Sequence, residues 1–241
     1  MKHLVIMATC LYISFTSMSF AAENRFQQFN HDVDTAYASY RKALFQTNKK
    51  DAEKSGKATG SFLKQWQTIV EAYGSPPPET FSTDPTWKDT LTGITQIATE
   101  SAAMIEQDKL ADAHEHLEAI RDSLSSLRQR NSVIVFSDHI NNYHEVMEGL
   151  LNGGYTPDSI DDAALTDIVG KLAVLHYLAE AISENAPARY EDDNTYQQLQ
   201  KGLFSSLDLL EQAVESGDKK KISTAVKMLK PAYAKLFVNF G

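Results

Sequence analysis

The sequence predicts an all-α protein made of two tandem up-and-down four-helix-bundle units that arose by an apparent internal duplication. Three observations carry this. Apolar residues recur at three- and four-residue spacing through most of the chain, no stretch sustains the two-residue alternation of a strand, and the second half repeats the first. The β-branched run Val133-Ile134-Val135 is too short to change that reading.

The repeat is clearest in a loop. At an offset of 109 residues, Pro78-Glu79-Thr80-Phe81-Ser82-Thr83-Asp84-Pro85-Thr86-Trp87 aligns without a gap on Pro187-Ala188-Arg189-Tyr190-Glu191-Asp192-Asp193-Asn194-Thr195-Tyr196. At that offset Glu71-Ala72 meets Glu180-Ala181, Gly93 meets Gly202, and Trp66, Ile94 and Ile105 meet Leu175, Leu203 and Val214. Further upstream the offset becomes 107, setting Phe29 and Val33 over Phe136 and Ile140. Two amphipathic helices can always be slid into heptad agreement. A shared irregular loop cannot, and a period of this kind outranks local propensity in naming a fold.

Each unit reads as four helices. The first spans Asn30 to about Gln46, with Val33, Tyr37, Tyr40 and Leu44 on one stripe, and a polar Lys/Asp/Glu stretch follows it. The second runs from about Thr59 to Tyr73 and ends at Gly74-Ser75-Pro76-Pro77-Pro78, where proline cannot supply the helical amide. Asp84-Pro85 opens the third as N-cap and first-turn proline, and it continues to about Gln107. A turn at Asp108 leads to the fourth, which ends near Asn131. The second unit repeats this at about 136–152, 161–184, 194–215 and 219–239, with Asn152-Gly153-Gly154 and Ser216-Gly217-Asp218 as stops. Pro231 is expected to kink or break the last helix.

Lys2, the apolar run Leu4 to Phe20 and the small residues Ser19 and Ala21 read as a secretory signal peptide, with the cut expected after Ala21 and Ala22 as the near alternative. The domains are therefore 1–21 signal peptide, 22–131 first unit and 132–241 second unit. No later segment has the roughly 18 uninterrupted apolar residues of a membrane helix. A periplasmic or secreted protein with no membrane insertion after signal removal is expected. Cys10, the single cysteine, lies in the segment to be removed, so the mature chain has no disulfide, no thiolate ligand and no covalent haem. Loss of Lys2 leaves 22 basic against 32 acidic side chains and moves the formal charge from −9 to −10, a balance that argues against nucleic acid as a partner.

Four of the seven histidines fall between Ala113 and Leu151. His114, His116, Glu118, Asp138, His139, His144 and Glu148 flank the apolar stripes there as nitrogen and oxygen donors, although no spacing among them is diagnostic. If 131–135 is a turn, the flanking helices become antiparallel neighbours, and His116, His144 and Glu148 share a site helped by Glu118 or Asp138. Such a set suits Zn, Cu(II) or Fe better than Ca or Mg, which prefer oxygen shells. A helix running unbroken through 131–135 would set His116 and His144 roughly 42 Å apart and abolish the site. Against the metal stands the bland reading, that these histidines hydrogen-bond nearby carboxylates or backbone. Met147 beside His144 also matches a haem axial pair, but a Met at a core position more often packs.

His176 and Glu180, four apart, read as a surface pair, and His31-Asp32 as a solvated cap. Tyr37, Tyr40, Trp66, Phe81 and Trp87 could line a pocket for a small ligand, though at these spacings aromatics usually fill a core. No phosphate loop, nucleophile elbow, His-Glu-x-x-His motif or nucleophilic cysteine is present, so no enzyme is expected. A signal peptide followed by duplicated four-helix units resembles the imelysin-like periplasmic proteins, some of which are linked to metal uptake. Their Gly-x-His-x-x-Glu motif is absent: His144 is followed by Glu148 at the fourth position, and Asn142 stands where the glycine would be. The likeness is one of architecture, and architecture does not fix function. The expectation is an exported helical binding protein, taking a transition-metal ion at the junction or, alternatively, acting as a non-catalytic structural or sensory module for a protein or small-molecule partner.

Overall fold

A computed structural model describes the backbone of residues 2–241 and the side chains of residues 24–241. The expected signal peptide, its cleavage site and Cys10 lie outside the described side chains. The described chain is all-helical, with eight α-helices and no strand among the described residues: α1 (Lys2–Asn48), α2 (Ala52–Tyr73), α3 (Trp87–Glu106), α4 (Leu110–Arg130), α5 (Phe136–Leu151), α6 (Asp162–Glu184), α7 (Asn194–Glu215) and α8 (Lys219–Phe240). They group into two compact units, residues 1–133 and 134–241. Among the described residues no helix is long and apolar enough to cross a membrane.

In the first unit α1 packs against α2 and α4, and α3 packs against α2 and α4. The stripes meet in a core of Phe29, Tyr37, Tyr40, Phe62, Trp66, Leu91, Ile94, Leu117, Ile120 and Leu124, all buried. Burial of side chains of this size contributes roughly 1.5–3 kcal/mol each. The aromatics are therefore structural. Trp66 stacks on Phe62 with ring centroids 5.7 Å apart and donates its indole N–H to the Leu91 carbonyl. Asp32 is no solvated cap: it lies within α1 and accepts hydrogen bonds from Gln28 and from the Tyr73 hydroxyl at 2.8 Å.

In the second unit α5 packs against α6 and α8, and α7 packs against α6 and α8. Its core is Ile140, Tyr143, Met147, Ile168, Leu175, Leu203, Leu210, Leu229 and Leu236. Met147 is fully buried among them.

Boundaries differ from the sequence expectation for local reasons. Helix α2 opens at Ala52, not Thr59, because Asp51 caps it by accepting from the Lys54 amide. Asp84 is not the N-cap of α3, which opens at Trp87 after Thr86. Helix α8 runs through Pro231 without a break. The segment 131–135 is a turn, with Ser132 at φ +55.

The loops before α3 and α7 carry the same internal bonds 109 residues apart. Short 3-10 turns occupy Glu79–Phe81 and Ala188–Tyr190. The Pro78 carbonyl accepts from the Phe81 amide and the Pro187 carbonyl from the Tyr190 amide, at 2.9 and 2.8 Å. Trp87 donates its ring N–H to the Tyr73 carbonyl, and Tyr196 its hydroxyl to the Ile182 carbonyl.

Candidate functional site

Six of the seven donors, all but His139, find separate local partners. In the first unit, α4 faces α1 and α3, so its histidines find partners there. The His114 Nδ1 lies 3.1 Å from the Leu44 carbonyl and 2.9 Å from the Thr47 hydroxyl. A carbonyl can only accept, which puts the proton on Nδ1. His114 Nε2 is 4.0 Å from Glu118, and Glu118 also lies 3.5 Å from Arg121. His116 Nε2 is 3.0 Å from Glu100 on α3, whose other oxygen accepts from Gln96. The Gln96 hydrogen bond, and then that of His116, hold the Glu100 carboxyl below its ordinary value.

In the second unit Asp138 is a cap: its carboxylate accepts from the Val135 amide at 3.0 Å and closes the first turn of α5. His139 is half-buried on α5. His144 packs its ring 5.0 Å from that of Tyr233, and its Nε2 is 3.5 Å from Glu148. Lys230 donates to the same Glu148 oxygen at 3.0 Å. The His144 hydrogen bond lowers the Glu148 carboxyl most, burial opposes it, and Lys230 lowers it further, to about 2. A cation therefore already sits on this carboxylate, in the form of an ammonium group. Among the described residues, no group of three or more His, Cys, Asp or Glu side chains is arranged to hold a metal ion. On α6, His176 Nε2 is shielded from solvent without a hydrogen-bond partner.

A surface that the histidine reading passed over lies on α6. This helix is apolar on nearly every side, because its outward face carries Val169, Gly170, Ala173, Val174 and Tyr177 in addition to the buried Ile168, Leu172, Leu175 and Ala179. Val169 is 46% exposed, Val174 45% and Tyr177 69%. Residues at 169, 173 and 177, with 170 and 174 beside them, make one continuous ridge at helical spacing. The small Gly170 and Ala173 keep its centre low, and nothing lies within 4 Å of where a Gly170 side chain would be. At the 109-residue offset the same face of α2 is Gly60, Ser61, Lys64, Gln65 and Thr68. That face is polar and suits water.

The signal for this ridge was present in the sequence as a helix with too few polar positions for a surface element. Comparison with protein-family models, with characterised proteins and with solved structures finds no match for the chain.

Proposed function

We propose that the chain is an exported, non-catalytic binding protein of two duplicated four-helix-bundle units, whose second unit seats a protein partner on the outward ridge of α6. One observation carries the reading: Val169, Val174 and Tyr177 stand exposed where the matched positions of α2 are Gly60, Gln65 and Thr68. A contiguous apolar strip on a soluble bundle marks an interaction site more often than scattered surface residues do. The duplication is supported by the loop bonds that recur 109 residues apart and by the shared carbonyl contacts of Trp87 and Tyr196. Export is supported by the apolar run from Leu4 to Phe20 with the small residues Ser19 and Ala21 at its end.

A photo-crosslinking side chain introduced at Ala173, with a matched control at Lys64, tests the reading in intact cells. A discrete adduct is expected at Ala173 and none at Lys64, and the adduct should vanish when Val174→Lys and Tyr177→Glu are added. Equal labelling at both positions, or an adduct indifferent to those changes, overturns it.

A further inference from the structure

Independently of the α6 ridge, we infer that the α7–α8 face is a self-complementary docking surface for a second copy of this chain. Helix α8 carries Lys219, Lys220, Lys221, Lys227, Lys230 and Lys235 and no acidic residue. The rest of its unit, residues 134–218, carries three basic and 16 acidic side chains. So one helix holds six of the nine basic side chains of an acidic unit. Within the unit, Lys230 is drawn to Glu148 and Lys221 stands 3.9 Å from Asp218. Lys220, Lys227 and Lys235 are exposed on the outer side.

Between α7 and α8 runs an open groove of about 490 Å³, floored by the buried Ala213 and Ala225 and rimmed by Leu209, Gln212, Lys220, Lys221 and Thr224. Its flanks carry two exposed large apolar side chains, Leu209 at 46% and Met228 at 47%. Of the two helices beside it, α7 exposes acidic residues where α8 exposes basic ones: Asp208 and Glu215 on α7, Lys220 and Lys227 on α8, with Lys220 at the groove itself. Because the turn at Gly217 folds α8 back along α7, Glu215 stands level with Lys220, and Asp208 with Lys227. The two levels are about two helical turns apart.

A two-fold axis along the groove exchanges the flanks and preserves the levels. It sets Asp208 against the partner's Lys227, Glu215 against the partner's Lys220, and Leu209 against the partner's Met228, each contact made twice. An isologous pair needs a surface that complements itself, and alternating flanks with an apolar floor supply one. An anionic membrane fits less well, since the chain as a whole carries a formal −9. At the far end Lys201 and Lys235 are level and alike in charge, which confines the contact to the half of the groove nearer the turn.

Sedimentation of the purified protein at increasing concentration and low salt should show a monomer–dimer equilibrium weakened by added salt. Asp208→Lys/Glu215→Lys and Lys220→Glu/Lys227→Glu should each weaken association on the order of 100-fold or more, because each sets like charges against like. All four positions are exposed, so helical circular dichroism should be unchanged. Mixed in equal amounts, the two variants should regain dimer mass, since each offers what the other now requires. A protein that stays monomeric, a dimer unmoved by either variant, or a mixture that fails to associate overturns the proposal. The first of these outcomes together with a surviving Ala173 adduct would leave the α6 reading standing alone.

Discussion

The two units use corresponding positions differently, and Asp84 and Asp193 show how. Both carboxylates accept the amide two residues on, Thr86 in one unit and Thr195 in the other. Asp193 does little more, capping α7 through Thr195 and Tyr196. Asp84 also binds the Arg130 guanidinium and the Asn131 amide, both at 2.7 Å, and so ties the loop to the end of α4; its side chain is 1% exposed. The same contrast runs along the helices. Matched faces are polar on α2 and apolar on α6, and α4 mixes acidic and basic residues where α8 is purely basic. One unit seals itself with its polar groups, while the other leaves ridges and charges turned outward.

The sharpest break in that comparison comes from removing the paired aspartates. Asp84→Ala takes a partner from a guanidinium, a side-chain amide, a backbone amide and a hydroxyl, and should cost about 3 kcal/mol. Asp193→Ala loses only a cap and should cost about 1 kcal/mol. The two tryptophans of the chain, Trp66 and Trp87, both lie in the first unit, so fluorescence follows that unit alone and circular dichroism follows both. Urea titration should move the fluorescence midpoint strongly for Asp84→Ala and leave it in place for Asp193→Ala. Equal shifts would contradict the difference in how the two carboxylates are held.

Acid provides the next, smaller test. Burial alone would push the Asp84 carboxyl up, but hydrogen bonds from Asn131, Thr86 and Arg130 outweigh it and hold it at about 2, against an ordinary 3.8. A carboxyl depressed by folding contributes stability that is complete above about pH 4 and is lost as pH falls through about 2, here about 2 kcal/mol. Fluorescence-detected stability should decline across that window in the native sequence and less steeply in Asp84→Asn. Glu148, held at about 2 chiefly by His144 and further by Lys230, should add a decline over the same range in circular dichroism that Glu148→Gln removes.

The smallest effect is expected from metal. Zn, Cu(II) or Fe added to untagged protein should leave both unfolding midpoints where they are, since the Glu148 carboxylate already has its ammonium partner and His116 its Glu100. A midpoint raised by one of these ions and restored by His144→Ala would reinstate the metal.

The helical class was legible because apolar residues at three- and four-residue spacing determine which faces are buried. The stripe read from the sequence in the first helix, Val33, Tyr37, Tyr40 and Leu44, lies in a core. Helix starts were less legible, since Asp51 and Asp84 have equal claim to a cap and only tertiary partners tell them apart. The donor cluster was hardest to place. Nearness in sequence among these donors says nothing of partners contributed by α1, α3 and α8, and it is Leu44, Glu100 and Lys230 that take up His114, His116 and Glu148. The α6 ridge could have been found by asking which helix lacks a polar side.

Arg25 bears on how the protein would mature. Its guanidinium donates to the Ala72 and Pro76 carbonyls at 3.0 and 2.9 Å and lies over the Tyr73 ring, strapping the early part of α1 to the end of α2. A cut after Ala21 would leave only Ala22, Glu23 and Asn24 ahead of that strap. The new amino terminus would thus be tethered within one turn of its start, giving an exopeptidase almost no loose thread to pull.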